Sequence, residues 1–330
     1  MMKYKDRVYG QVIIKEKVLV ELIKTNTMQR LKNINQGGVL IFLNPNHEWR
    51  EFKTTRFEHS VGVCILLKKF NACLEEQIAG LLHDVSHTAF SHALDFMFNR
   101  HTQHDYHEQF HEKMILDSEI PLILKKHGIE VNNILDEKRF TLLERELPDL
   151  CADRVDYFLR DMSIVNSVIE KKVNHILNTL TNFNGEIIFT DREMAKLFAE
   201  KFIEANKHYW CNPLQATLFK MISDIFNMAI SKVILRESDL FSTDELVYNK
   251  LRNSGDKEIV EKLNLISNLE VIEDRNDYDM HLKSKVRCTD PKILVNDDLK
   301  RLSDIDDSYK QKMKNFIKET TKGFFVKIKR

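Results

Sequence analysis

The sequence of 330 residues is poor in the residues that mark turns and covalent cross-links. It contains only nine glycines and five prolines, and this scarcity favours long helices over a sheet of many strands. Its five cysteines are scattered and include no Cys-x-x-Cys pair, which argues against a disulfide scaffold and against a cysteine-based zinc site. No apolar run approaches the roughly 18 residues that a membrane-spanning helix requires.

The sequence also lacks an excess of charge of either sign. Fifty Lys and Arg residues balance fifty Asp and Glu residues, so overall charge does not indicate nucleic acid binding, although such binding stays possible. The basic tail at residues 322–330 is typical of a solvated chain end. Residues 1–10 are polar and unlike a signal peptide. The sequence therefore predicts a cytoplasmic protein with no membrane partner.

A helical pattern is present over most of the chain. Apolar residues recur at helical spacing in several stretches, namely 22–34, 57–70, 75–84, 107–124, 148–169 and 192–236. Short strands are predicted near Gly10 and in the stretches 186–190, 283–288 and 323–328. The expected fold is mainly α with small β-hairpins. We expect residues 1–234 to form the main domain, with its core motifs in 22–165, and residues 235–330 to form a smaller C-terminal α+β appendage.

Histidines are concentrated in one part of the chain. Seven of the thirteen lie within 29 residues, where a random scatter would place about one: His83, His87, His92, His101, His104, His107 and His111. Histidine is the commonest metal ligand and transfers protons near neutral pH. His83 and Asp84 follow an apolar helix, and this pair of ligand types suits Mn, Fe, Co, Ni, Zn or Mg rather than copper. Taken alone, the dipeptide is explained as well by hydrogen bonding at a helix end.

Two further groups of polar residues accompany this pair. His87 and His92 follow within one or two helical turns, where they are placed to fix the metal ligands or to contact substrate phosphates. The alternative for His92 is a packing role in the core. Asp153, Tyr157 and Asp161 recur every four residues and therefore share one helical face, which favours a polar cavity wall over a solvated surface.

Three motifs, in this order along the chain, resemble a known signature. Residues 56–60 (RFEHS), 83–92 (HDVSHTAFSH) and 153–161 (DRVDYFLRD) are similar to the H…HD…D pattern of HD-domain phosphohydrolases. Within that superfamily they resemble the dNTP triphosphohydrolase branch, and the similarity extends upstream to Gln36-Gly37-Gly38. It covers roughly residues 4–165 and continues more weakly to about residue 230. The resemblance implies that the main domain is the helical bundle of the HD fold.

The resemblance also implies a set of site residues. The metal ligands would be His59, His83, Asp84 and Asp153. The catalytic group would comprise His107, polarised by Glu108, together with His87 and His92 around the phosphates. The substrate contacts would be Gln36 and Arg56 at the nucleoside, Tyr157 and Asp161 at the sugar, and Arg154 at a phosphate.

The implied reaction is the metal-dependent hydrolysis of a nucleotide phosphoester, with a dNTP giving a deoxynucleoside and triphosphate as first choice. One divalent ion would polarise a phosphate oxygen and activate water, and its identity among Mn, Fe, Mg, Ni, Co and Zn is left open. His107 would protonate the leaving oxygen or orient the attacking water, while His87, His92 and Arg154 offset the charge that develops. The resemblance further implies a homo-oligomer, with the C-terminal appendage as the candidate oligomerisation element.

One departure from the branch keeps other functions open. The helix after the predicted hairpin lacks the arginine that the branch usually presents to the triphosphate, and Lys207 is the expected substitute, with His208 and Lys220 as alternatives. A lysine does not reproduce the two-pronged contact of an arginine. A second hypothesis is therefore a phosphohydrolase of nucleoside monophosphates, signalling nucleotides or single-stranded nucleic acid ends. A third is a non-catalytic nucleotide sensor on an HD scaffold.

Overall fold

The computed structural model describes residues 1–98, 102, 106–296 and 298–329, without the side chain of Glu137. Two of the clustered histidines, His101 and His104, lie outside the described residues. Within the described part there are sixteen α-helices and nine short strands, so the prediction of a mainly α fold is confirmed. In the same residues, every helix is too short or too polar to cross a lipid bilayer.

The helices occur along the whole chain, and the longest connections lie between α2 and α3 and between α14 and α15. Their bounds are α1 Lys17–Ile23, α2 Asn26–Arg30, α3 Arg56–Lys69, α4 Leu74–Leu82, α5 Ala93–Met97, α6 His111–Leu116, α7 Ile120–Lys126, α8 Asn132–Leu135, α9 Ala152–Val165, α10 Ser167–Thr179, α11 Arg192–Ala205, α12 Pro213–Ser231, α13 Asp244–Arg252, α14 Lys257–Ser267, α15 Leu302–Ile305 and α16 Asp307–Thr320. A π-helical turn, Asn206–Trp210, separates α11 from α12, and a 3₁₀ turn, Tyr106–Phe110, precedes α6. The predicted helix at 22–34 is broken instead into α2 and a 3₁₀ turn.

The strands form three small sheets. Their bounds are β1 Met2–Asp6, β2 Gly10–Ile14, β3 Leu180–Phe183, β4 Glu186–Phe189, β5 Val271–Glu273, β6 Met280–Leu282, β7 Lys292–Val295, β8 Asp298–Arg301 and β9 Phe324–Ile328. β1 pairs with β2, and the other two sheets have the orders β3-β4-β7-β8 and β5-β9-β6. Phe189 of β4 lies opposite Ile293 of β7 in a parallel pairing. The C-terminal region is therefore hydrogen-bonded into the sheet of the β3–β4 hairpin.

The outcome for the predicted strands is mixed. Strands at 186–190 and 323–328 are confirmed by β4 and β9. The strand predicted at 283–288 is wrong, because the backbone between β6 and β7 is irregular through this stretch. Its alternation of polar and apolar residues has another origin: Cys288 is buried in the core, whereas Lys285 and Arg287 line a cavity. The predicted boundary at residue 234 stays a prediction.

Three helices bring the candidate site together. Helix α3 begins with a capping box, in which the Thr55 hydroxyl accepts from the Glu58 N–H (3.2 Å) and the Glu58 carboxylate accepts from the Thr55 N–H (3.0 Å). Helix α3 packs against both α4 and α9. A Cβ built on Gly62 of α3 would lie 2.0 Å from Nη2 of Arg160 and 2.2 Å from Oδ1 of Asp156, both on α9. The absence of a side chain at Gly62 therefore permits the close approach of α3 and α9.

Candidate active site

The four predicted metal ligands converge at the contact of α3, α4 and α9. Nε2 of His59 lies 2.8 Å from Oδ1 of Asp153, and Nε2 of His83 lies 3.3 Å from Nε2 of His59. Nε2 of His83 is 3.5 Å from Oδ1 of Asp84 and 3.6 Å from Oδ1 of Asp153. An ion bound at 2.0–2.2 Å places neighbouring ligand atoms roughly 3 Å apart. The spacing of the donor atoms therefore fits a divalent metal.

Hydrogen bonds fix which ring nitrogen of each histidine faces the cluster. Nδ1 of His59 lies 2.8 Å from the carboxylate of Asp156, and Nδ1 of His83 lies 2.8 Å from the Gly80 carbonyl. Both partners are acceptors, so both Nδ1 atoms carry the proton and donate it. The two Nε2 atoms then face each other, and lone pairs this close repel unless a proton or a metal ion accepts them. In metal sites, a histidine that binds the ion through one ring nitrogen commonly donates a hydrogen bond from the other to a carboxylate or a carbonyl.

The electrostatics of the cluster also favour a cation. Burial opposes a charge on His83, but Asp84 and Asp153 outweigh it and raise the pKa of His83 to about 10. Burial likewise opposes the raised pKa of His59, which results from hydrogen bonds to Asp153 and Asp156. The pKa of Asp84 stays well below its usual value despite burial, because the charges of Arg56 and His83 stabilise the carboxylate. The buried cluster therefore has a negative potential that a divalent ion would neutralise.

The predicted catalytic histidines lie beside this cluster. Nε2 of His87 is 3.2 Å from Oδ1 of Asp84, and the ring of His107 stacks on that of His87 at 3.6 Å between centroids. Burial, reinforced by the charge of Arg56, holds the pKa of His87 and His92 well below its usual range. Burial and the neighbouring His87 lower the pKa of His107 in the same way. In this state of the protein, the three imidazoles are neutral near pH 7.

One aspartate that the sequence reasoning missed positions two of these histidines. Oδ2 of Asp95 accepts a hydrogen bond from Nδ1 of His92 at 2.9 Å. Oδ1 of the same carboxylate accepts from the backbone N–H of Tyr106 at 3.0 Å, at the start of the turn that carries His107. Asp95 is buried, 2 % exposed. Its place three residues after His92 was the only signal in the sequence.

The loop between Asp84 and His92 has an unusual backbone that the C-terminal region stabilises. Phe90 and Ser91 adopt positive φ angles of 62° and 48°, which non-glycine residues rarely do. Oδ1 of Asp244 accepts from the Phe90 N–H at 2.7 Å, and Oδ2 accepts from the Asn35 N–H at 2.8 Å. The Leu240 carbonyl accepts from the Ala89 N–H at 2.7 Å. Residues after 234 therefore hold the loop that carries His87 and His92.

Asp244 gives this support a dependence on pH. Burial raises the pKa of its carboxyl to about 7, although its two backbone hydrogen bonds oppose the shift. Between about pH 4 and pH 7 the folded state keeps a proton that the unfolded state has lost, so this group makes the free energy of unfolding fall as pH rises. We expect Asp244→Asn to remove the part of the pH dependence of the free energy of unfolding that is due to Asp244. The slope of that part is at most about 1.4 kcal/mol per pH unit. Urea unfolding of both proteins at pH 5, 6 and 7 measures it, and parallel curves would contradict the expectation.

The metal cluster opens into a cavity of about 530 Å³. Twelve of the fourteen predicted site residues line it: Gln36, Arg56, His83, Asp84, His87, His92, His107, Glu108, Asp153, Arg154, Tyr157 and Asp161. His59 is completely buried and does not line the cavity. Lys207 is exposed on the π-helical turn, with its ammonium 5.8 Å from the ring centre of Phe316, outside the cavity. Lys207 therefore does not reach the cavity, and its predicted role in substrate binding is wrong.

The cavity also has walls that the sequence reasoning did not identify. One is aromatic: the Trp210 indole donates to Oδ2 of Asp161 at 3.0 Å, the Tyr157 ring meets the indole edge-on at 5.2 Å, and Phe219 lies nearby. The other is cationic and consists of Lys285 and Arg287, from the irregular segment between β6 and β7. The only sequence signal for the cationic wall was the alternation of basic and apolar residues at 283–288, which we interpreted as a strand.

Comparisons with known proteins agree with this geometry. The family model described as "HD domain" matches residues 56–161. The chain is 38% identical over 329 residues to the uncharacterised protein YdhJ of Bacillus subtilis, a match that covers 99% of both chains. It is 29% identical over 296 residues to the metal-dependent phosphohydrolase cns2 of Cordyceps militaris, covering 88% of this chain and 84% of that protein.

Two more distant similarities bear on the fold and on the branch. A crystal structure of a hypothetical protein from Aquifex aeolicus superimposes with a TM-score of 0.67 at 19% identity, covering 96% of this chain and 99% of that one, which shows a shared fold. A shorter match, 30% identical over 153 residues, relates 39% of this chain to 22% of the deoxynucleoside triphosphate triphosphohydrolase SAMHD1 of Mus musculus. The chain belongs to the HD-domain family of metal-dependent phosphohydrolases.

Proposed function

We propose that this chain hydrolyses a nucleotide phosphoester, and that its substrate is a dNTP, which it converts to a deoxynucleoside and triphosphate. The observation that carries the proposal is the composition of the single cavity into which the metal cluster opens. That cavity combines neutral imidazoles, an aromatic wall and several cations around a volume of about 530 Å³. Pockets of roughly 300–1,000 Å³ with an apolar wall and a few placed polar groups are typical small-molecule sites.

The proposed roles at the reacting end follow from the geometry of the cluster. His59, His83, Asp84 and Asp153 would hold one divalent ion, whose species among Mn, Fe, Mg, Ni, Co and Zn stays open. Such an ion supplies Lewis acidity toward a phosphate oxygen and lowers the pKa of a neighbouring water. Arg56 donates to the Asp84 carboxylate at 2.9 Å and so keeps that ligand oriented and ionised. The Asp156 carboxylate accepts a hydrogen bond from Nδ1 of His59 and so orients that ring.

Side chains of the protein would donate a proton and stabilise negative charge around the phosphates. His107, held against His87 and with Glu108 beside it in the sequence, would donate a proton to the leaving oxygen once the negative charge of a bound phosphate raises the pKa of its imidazole. His87 and His92 would donate hydrogen bonds to phosphate oxygens, which gain negative charge as the nucleophile adds. Arg154 would add a fixed positive charge, since its guanidinium is held by the Asp149 and Arg145 carbonyls.

The opposite end of the cavity would hold the nucleoside. Tyr157 and Asp161 face the cavity from α9 at the place proposed for the sugar, and the Asp161 carboxylate is oriented by the Trp210 indole. Gln36, Gln215 and Phe219 provide amide groups and an aromatic surface for a base. Stacking on aromatic side chains is sequence-tolerant because every base presents a π-face. This wall therefore favours a nucleotide over a simple phosphoester without selecting a base.

A second candidate function has one specific observation in its favour. The π-helical turn Asn206–Trp210 offers no arginine to the cavity, and Lys207 points away from it. Hydrolysis of nucleoside monophosphates, signalling nucleotides or oligonucleotide ends would need fewer cations than hydrolysis of a triphosphate. The homo-oligomer formed through residues 235–330 and the cytoplasmic location also stay predictions.

The test of the proposed function is product analysis on purified protein loaded with Mn, Mg or Fe. All eight nucleoside triphosphates, a set of monophosphates and short oligonucleotides are incubated separately, and the products are resolved by ion-exchange chromatography. Deoxynucleoside with inorganic triphosphate, absent in His107→Asn, supports the proposal. Release of orthophosphate from monophosphates alone replaces it with the second candidate function. Tight nucleotide binding without any product would instead indicate a non-catalytic sensor.

A further inference from the structure

Two cations enter the cavity from a part of the chain remote from the HD motifs. Lys285 and Arg287 both line it from the irregular segment between β6 and β7. The segment is anchored beside them, because the Arg287 N–H donates to Oδ1 of Asn206 at 3.3 Å and the Asp290 N–H donates to the Pro148 carbonyl at 2.9 Å. Cys288, between these anchors, is buried in the core. The two side chains therefore extend from a fixed backbone.

Three arginines elsewhere in the cavity pair with carboxylates. Arg56 pairs with Asp84 at 2.9 Å, Arg154 with Glu144 at 3.1 Å, and Arg145 with Glu186 at 3.5 Å. Among the described residues, the Lys285 ammonium has no hydrogen-bond or ion-pair partner. Burial lowers the pKa of Lys285 and repulsion from the charge of Arg287 lowers it further, although Glu144 and Asp153 oppose the shift. An anion between them would remove this repulsion.

The position of the two cations indicates which anion they would bind. Arg287 and Lys285 both lie near enough to His92 for their charges to act on that imidazole, which faces the attacked phosphate in the proposed function. Arg287 also lies near Tyr157, on the wall proposed for the sugar. Lys285 acts on Asp153 of the metal cluster. The cations thus flank the space between the metal cluster and the nucleoside wall, where a chain of phosphates would extend.

We infer that Lys285 and Arg287 bind the phosphates that lie beyond the attacked phosphorus, and so make this chain selective for polyphosphate over monophosphate esters. This inference rests on the proposed function, because it assigns a phosphate chain to the same cavity. The helix after the hairpin lacks the expected arginine near Lys207. In this inference its role is taken by Lys285 and Arg287, about 80 residues further along the sequence. An arginine beside a lysine combines two-pronged and point-charge contacts with phosphate.

The experiment measures binding of inorganic anions first, so that it does not depend on turnover. Isothermal titration calorimetry on the metal-loaded protein compares inorganic tripolyphosphate with orthophosphate. The variants are Lys285→Met, Arg287→Met and both together, and Lys283→Met is the matched control, since Lys283 is exposed on the same segment and does not line the cavity. We expect the Kd for tripolyphosphate to rise about tenfold in each single variant and about 100-fold in the double variant, as for the loss of charge-assisted contacts. Orthophosphate binding and the control should change less than threefold.

Turnover then separates this inference from the proposed function. With a dNTP substrate, the double variant should have a higher KM and a kcat within a few-fold of the wild type. Arg287→Lys should bind more tightly than Arg287→Met, because it keeps the positive charge. A merely structural role of Arg287 would not predict this partial recovery. Tripolyphosphate affinity unchanged in the double variant would overturn the inference, whatever the wild type hydrolyses. If the wild type turns over no nucleotide but loses tripolyphosphate affinity in the double variant, the cation site stands and the proposed substrate is wrong.

Discussion

Asp153→Asn is expected to remove the divalent ion from the cluster and to reduce hydrolysis on the order of 10³-fold or more. Among the residues that the structure describes, the Asp153 carboxylate is the only negatively charged group within hydrogen-bonding distance of His59 Nε2, at 2.8 Å, and it is also 3.6 Å from His83 Nε2. An amide keeps the shape of the side chain but loses the charge that a metal ligand needs. A metal contributes several kcal/mol of charge stabilisation in such reactions, and each 1.36 kcal/mol changes the rate about tenfold.

The measurement is metal content by inductively coupled plasma mass spectrometry beside the rate of hydrolysis. Asp149→Asn is the matched control, because Asp149 lies four residues earlier, pairs with Arg301 at 2.6 Å and does not line the cavity. We expect about one ion per chain in the wild type and the control, and close to none in Asp153→Asn. Full metal occupancy in Asp153→Asn would show that the other three side chains suffice, and the proposed ligand set would have to be revised.

Gly62→Ala should destabilise the protein by about 3 kcal/mol or more, a large part of the 5–15 kcal/mol by which domains are usually stable. The added Cβ would meet two charged atoms, Nη2 of Arg160 at 2.0 Å and Oδ1 of Asp156 at 2.2 Å. Both side chains are completely buried, and Arg160 also pairs with Asp6 at 3.1 Å. Overpacking a core costs roughly 1–3 kcal/mol, and disturbing a buried ion pair costs more because its charges lose their partners.

Urea unfolding measures this effect, and Gly37→Ala provides the control. A Cβ on Gly37 would approach Cδ1 of Leu40 at 2.9 Å and Oδ1 of Asn35 at 3.1 Å, which are ends of uncharged side chains and not members of a buried ion pair. We therefore expect a loss of less than about 1 kcal/mol in the control. Gly62→Ala should also weaken metal binding, because Asp156 orients His59. Equal stability of both variants would show that α3 and α9 separate easily, contrary to the packing described.

The proposed ligand set came from the resemblance of the ordered motifs to the HD signature, and part of the information that brings these residues together is local. His83 and Asp84 are adjacent at the end of an apolar helix, and Asp153, Tyr157 and Asp161 repeat at a spacing of four on one face of α9. A helix transmits such spacing directly into three dimensions. The same argument explains why the hairpin at 186–190 was predicted correctly: Asn184 and Gly185 take the positive φ angles of its turn.

The parts that the sequence reasoning missed depend on contacts between distant segments. Lys285 and Arg287 reach the cavity from a stretch more than 120 residues beyond Asp153, and nothing in their neighbourhood indicates the direction of the side chains. Asp244 is likewise an ordinary helix-start residue until the fold places it against Phe90. For Lys207 the error was local: the π-helical turn adds a residue to the helical repeat, so that Trp210 rather than Lys207 faces the cavity.

The hydrogen bonds from Leu240 and Asp244 to the loop of Ala89 and Phe90 have a consequence for synthesis on the ribosome. Chains fold from the N-terminus as they emerge, so all four proposed metal ligands leave the exit tunnel well before residues 240–290. Until then the backbone N–H groups of Ala89 and Phe90 lack their acceptors, and the cavity lacks its cationic wall. The proposed metal ligands are therefore all synthesised before the segments that complete the cavity, and the cavity is complete only once residues 240–290 have docked.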